Sequence, residues 1–191
     1  MLPSDLLDIT YDKLSGGQKQ RVNLYMALGH IPDLALLDEP ESSLDDKRVR
    51  AIANSIKTRA ALSKTTLVAT HNSQILEVAD NVVLMTAGEV CYQGSLQDLI
   101  AERLGHGALE IVMDGETERQ RLMPILAMNT ARKMQIELED GRLLLFGTNE
   151  LREIIKESAF AEKRMGLTWR NVTPKDLLLS LDSNCIPCSA T

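Results

Sequence analysis

Leu34-Ala35-Leu36-Leu37-Asp38-Glu39-Pro40 is a short apolar run stopped by two acids and a proline. Proline cannot carry a helix onward, so the run predicts a buried strand with Asp38 and Glu39 at its carboxyl end. Upstream, a helix is expected from Gln18 to about Gly29, with Val22, Leu24, Met26, Ala27 and Leu28 on a broad apolar face. Downstream, Asp45–Ser63 carries Val49, Ile52, Ala53 and Ile56 at helical spacing, and Thr65–Thr70 returns to a strand ending at His71. Strands alternating with amphipathic helices predict an α/β fold, a parallel sheet flanked by helices. Val82–Met85 and Glu89–Tyr92 then read as a hairpin around Ala87-Gly88, and Ser95 as the cap of a helix running through Leu99 and Ile100.

The period changes from Gly107 onward. Ala108–Met113, Lys133–Leu138, Arg142–Phe146 and Leu167–Val172 read as strands, the middle two joined through Glu139-Asp140-Gly141. Helices are expected over 116–131, interrupted by Pro124, and over Asn149–Lys163, and a last one opens at Thr173-Pro174 and runs through Leu181. Strand, helix, strand, strand, helix, strand is the split order of a small α+β ferredoxin-like (βαββαβ) domain. The expected organisation is therefore an α/β part over 1–100, a linker at 101–107, the ferredoxin-like domain over 108–182 and a disordered tail at 183–191.

Composition narrows the functional classes. The chain has 191 residues, 44% of them hydrophobic, enough for an ordinary core, and its net charge of -6 with no basic run argues against a nucleic-acid partner. Its longest apolar runs are too short to cross a bilayer, and Met1-Leu2-Pro3-Ser4-Asp5 does not resemble a leader, so a cytoplasmic location is expected. Three cysteines, an odd number, fit a reducing compartment. Cys185-Ile186-Pro187-Cys188 has redox or half-metal spacing, but with only Cys91 and three histidines left to complete a site it reads as two thiols in a tail. Trp169 and Met113, Met123 and Met128 read as packing residues.

Four features of the first part can carry chemistry. The glycines of Leu14-Ser15-Gly16-Gly17-Gln18 let backbone amides approach an anion at a helix start, although the same residues also make an ordinary N-cap. Asp38 and Glu39 stand at the sheet edge where open α/β folds place ligands; one acid can hold magnesium through water and the next can orient an attacking water. Ser42-Ser43-Leu44-Asp45 caps the following helix, and His71 ends a strand where an imidazole can donate to a phosphate oxygen.

In this order, LSGGQ, LALLDEP, SSLD and VATHN resemble the ATP-binding cassette (ABC) ATPases over roughly residues 12–94. The resemblance implies ATP and Mg2+ as cofactors, with Ser15, Gly16, Gly17 and Gln18 as the signature loop reaching nucleotide held by an opposite subunit. It further implies Asp38 as the metal-supporting acid, Glu39 as the catalytic glutamate, Asp45 in the D-loop and His71 as the switch histidine. Glu41 stands where many members have threonine. The second part resembles the C-terminal extension of drug-exporter-type and ABC-2 ATPases, with Leu178 where many members carry an aromatic.

No glycine is followed by lysine, so no phosphate-binding loop of the G-x-x-x-x-G-K-S/T type is present. The resemblance then implies the C-terminal portion of an ATPase, without the strand expected between those ending at His71 and containing Val82–Met85. Alone, such a chain is expected to fold incompletely in its first part and to bind ATP weakly. Its expected partners are a second ATPase subunit, a transmembrane permease subunit and a separate N-terminal ATPase fragment, placing it on the cytoplasmic face of the membrane. Two other readings stay open: a non-catalytic interaction or regulatory module, and an ABC ATPase outside transport.

Overall fold

A computed structural model describes residues 8–42, 44–112, 120, 123–124, 132–138, 142–151, 153 and 166–182. They fall into two compact units divided between Asp80 and Asn81, a boundary upstream of the one expected near residue 100.

The first unit is built on a parallel pair, β1 (Leu34–Asp38) and β2 (Thr65–Ala69), in register from Leu34 opposite Thr65 to Asp38 opposite Ala69. Side chains alternate across a strand, so Ala35 and Leu37 are buried while Leu34 and Leu36 are 54% and 65% exposed. Leu67, opposite Leu36, is exposed on β2. The apolar run of β1 was expected to be covered on both faces; among the described residues only one face is covered.

The covered face meets α2 (Asp46–Ala61), whose Val49, Ile52 and Ile56 form a cluster with Ile75 of the short helix α3 (Ser73–Leu76). Leu24, Leu44, Val68 and Val78 pack against it. The i, i+3, i+7 spacing of Val49, Ile52 and Ile56 puts one stripe on the core, as the sequence predicts. In α1 (Gly16–Gly29) the broad face is not formed: the helix buries none of its residues and Met26 is 65% exposed. Met26 lies two positions, about 200° of helix, beyond Leu24, so the two cannot share one stripe.

The second unit begins with the expected hairpin, β3 (Val82–Thr86) and β4 (Glu89–Gly94). Its turn residues Ala87 and Gly88 have φ of 52° and 85°, the left-handed pair that a two-residue turn between twisted strands requires. Alanine is strained there by its Cβ. Ala87→Asn is expected to stabilise the hairpin by about 1 kcal/mol, read as a raised denaturation midpoint of the full chain.

Residues 101–107, expected as a linker, are packed. They hold the end of α4 (Leu96–Arg103), its cap and the first residue of β5 (Gly107–Val112), and Leu104 is fully buried. Gly105, at φ 82°, closes α4 with its N–H on the Ala101 carbonyl at 3.1 Å, and a Cβ there would stand 2.5 Å from the Gly147 oxygen. Only glycine meets both demands.

β5 lies in a four-stranded antiparallel sheet of order β6 (Arg132–Glu137), β7 (Leu143–Gly147), β5, β8 (Gly166–Asn171). Leu143, Leu144, Leu145 and Phe146 are all buried, because β7 has strands on both sides and cover on both faces. A final helix, α5 (Pro174–Asp182), buries Asp176, Leu177 and Ser180 and packs against α4. The helices expected over 116–131 and 149–163 lie mostly outside the described residues, as do Met113, Met128, Ser43 and the tail from 183. Among the described residues no helix is long and apolar enough to cross a membrane.

Candidate functional site

All the sequence-flagged site residues belong to the first unit. Ser15 is the N-cap of α1: its hydroxyl accepts from the Gln18 amide at 3.4 Å, while the Gln18 side chain accepts from the Ser15 amide at 2.8 Å. This reciprocal cap fixes where α1 starts. Between the two, Gly16 and Gly17 have open space where a Cβ would stand, so a ligand atom could approach their backbone closely. Asp45 likewise caps α2, accepting from the Arg48 amide at 2.9 Å, and pairs with the Arg48 guanidinium at 3.0 Å. This exposed i, i+3 pair contributes little to stability.

The ends of the parallel strands bring two other residues together. Asp38 closes β1 on its open, apolar face. Glu39 follows at φ 40°, a left-handed conformation that costs on the order of 1 kcal/mol outside glycine, and its amide donates to the Ala69 carbonyl at 2.9 Å. The turn is held from a second side by Gln20 of α1, whose amide group donates to the Glu39 and Pro40 carbonyls, each at 3.4 Å. Glu39 Oε1 stands 3.6 Å from His71 Nδ1 at the end of β2, and both side chains are largely exposed. Among the described residues no hydrogen bond joins the Ser15 and Gln18 side chains to Asp38, Glu39 or His71, so the cap and the strand-end cluster are separate groups.

Glu41 and Thr70 complete the strand-end cluster. Glu41 is 6% exposed; its Oε1 accepts from the Thr70 hydroxyl and, at 3.3 Å, from the His71 amide, and lies 3.9 Å from His71 Nδ1. The Asn72 amide donates to the Thr70 hydroxyl at 3.0 Å. The sequence marks Glu41 only as standing where many members of the resembled family have threonine, and a lone glutamate in a polar loop carries no sign that it will be buried.

A family model for ABC transporters matches residues 2–42. The first part of the chain is therefore similar in sequence to ABC transporter ATP-binding proteins. It is 40% identical over 89 residues to a probable amino-acid ABC transporter ATP-binding protein of Haemophilus influenzae, covering 46% of this chain and 35% of that protein. It is 37% identical over 91 residues to the L-cystine transport system ATP-binding protein TcyN of Escherichia coli, covering 47% and 36%. It is also similar to an ABC-type transporter of Aureobasidium melanogenum, 36% identical over 118 residues, covering 59% of this chain and 9% of that one. The chain thus spans about a third or less of the length of these relatives. Its LSGGQ, LALLDEP and VATHN segments are the α1 cap and the ends of β1 and β2 described above.

Proposed function

We propose that this chain supplies the signature-to-switch part of an ABC transporter ATPase subunit, with hydrolysis of ATP to ADP and phosphate driving transport through a separate membrane subunit. The observation that carries the reading is the approach of Glu39 Oε1 to His71 Nδ1 at the ends of neighbouring parallel strands, immediately after Asp38. In this reading Glu39 orients the attacking water and His71 donates to the γ-phosphate. The exposed Asp38 carboxylate is an oxygen donor suited to Mg2+ held through water, a metal that when bound neutralises phosphate charge. Ser15, Gly16, Gly17 and Gln18, with open backbone at both glycines, reach nucleotide held by an opposite ATPase subunit, and Asp45 belongs to the same facing surface. A cytoplasmic-face location follows from this role.

The finer description of the second unit is a ferredoxin-like accessory domain, supported by its antiparallel order β6-β7-β5-β8. The uncovered leucines of β1 and β2 support pairing of the first unit with further ATPase polypeptide, such as an N-terminal fragment bearing the phosphate loop. Without that lysine, these residues alone are expected to bind ATP more weakly than low-micromolar, as titration calorimetry will read. Mixing with a phosphate-loop fragment is expected to yield ATP hydrolysis, and Glu39→Gln to lower its kcat by about 100-fold or more. Binding to an ATPase partner with no hydrolysis, and no response to Glu39→Gln, would favour the interaction-module reading.

A further inference from the structure

We propose that Glu41 is a positioning residue for His71, the one that fixes the strand-end turn in the geometry its imidazole needs. The inference rests on reading Glu39 and His71 as the working pair proposed above. Three groups of the turn converge on Glu41 Oε1: the Thr70 hydroxyl, the His71 amide and, at 3.9 Å, the His71 ring. Through Thr70 the restraint extends to the Asn72 amide, and Asn72 in turn caps α3 by accepting from the Gln74 amide at 2.9 Å. One buried oxygen therefore orders residues 70–72, from the end of β2 to the start of α3.

The other oxygen of Glu41 adds a cost rather than a gain. Oε2 is buried with no hydrogen-bond partner among the described residues, and leaving a carboxylate oxygen so desolvated is a cost to folding. A shorter side chain here could not reach across to the neighbouring strand end, where Glu41 meets Thr70 and His71. Sites where a local rule is broken without structural return are where function is expected. Glu39 beside it is held at positive φ, so the histidine-facing side of the turn is strained as well. With Glu41 holding the His71 backbone from beneath, the exposed imidazole is left to face Glu39 at 3.6 Å.

The test uses the full chain, isotope-labelled, with Glu41→Ala and Glu41→Gln. Glu41→Ala is expected to accelerate hydrogen exchange at the His71 amide about tenfold or more relative to Leu37 and Ile52, and to move the His71 ring nitrogen shifts. Glu41→Gln retains an acceptor at Oε1 and is expected to restore His71 protection to within about twofold of the parent. Unchanged His71 exchange and ring shifts in Glu41→Ala would overturn the proposal. So would equal acceleration at Leu37 and Ile52, the mark of a residue that merely stabilises the unit. Failure of the parent chain to support hydrolysis with any phosphate-loop fragment would sink the proposed function instead, leaving the exchange result to stand by itself.

Discussion

Asp176→Ala is expected to destabilise the second unit by about 3 kcal/mol, the first of the two largest effects. The Asp176 carboxylate is 2% exposed and accepts from both terminal nitrogens of Arg170, at 2.6 and 2.7 Å, and from the Thr173 amide and hydroxyl, each at 2.8 Å. Removing it takes the acceptor from four donors and leaves the guanidinium without its carboxylate. Arg170 is about one-third exposed, so water recovers part of its charge, and this places the loss at the low end for a broken buried pair. Denaturation followed by the fluorescence of Trp169, the single tryptophan, reads this directly, because Trp169 sits on β8 beside Arg170.

The same site sets an acid limit. Burial alone would raise the Asp176 carboxyl, but the hydrogen bonds from Arg170 and Thr173, with the Arg170 charge, outweigh it and hold the group below its ordinary value. A depressed folded-state value contributes stability that is present above the unfolded value, about 3.9, and lost as pH falls through the folded one. The parent is therefore expected to lose midpoint below about pH 4 more steeply than Asp176→Ala, which lacks the group.

Gly107→Ala is expected to be nearly as costly, about 2 to 3 kcal/mol. A Cβ at Gly107 would stand 1.9 Å from one carbon of the Trp169 ring and 2.5 Å from the next, so either the indole or the backbone of β5 must move. Both residues lie in paired strands, where Gly107 faces Asn171 and Leu109 faces Trp169, so the backbone cannot shift without disturbing the ladder and the indole must swing from its place. Adding Trp169→Leu to Gly107→Ala is expected to recover part of the loss in denaturation followed by circular dichroism. A double variant no better than the sum of the singles would show that the ring is not the obstacle.

The sequence made much of the fold legible where one local cause dominates. Ser15 with Gln18, and Asp45 ahead of Arg48, are caps written within four residues, and both are observed. The 3.6-residue spacing of α2 and the Ala87-Gly88 turn are equally local. Met26 was misread because apolar residues two apart in a helix cannot share a face, and the stretch 101–107 because its glycines look like linker residues until Trp169 and Gly147 are brought against them. Glu41 was passed over since nothing near it in sequence says that Thr70 and His71 will come within hydrogen-bonding reach of it.

By itself, then, the sequence determined the chemistry on offer and its order along the chain: a capped glycine pair, two acids closing an apolar strand, a capping aspartate and a strand-end histidine. Those are properties of neighbouring residues, carried by local hydrogen bonds and by the period of the side chains. Only the tertiary structure decided that Glu39 meets His71, that Glu41 is buried beside the histidine, and that the other face of β1 is left uncovered among the described residues. Each of these depends on which residues the parallel register sets side by side from separate strands, and sequence spacing does not encode that register.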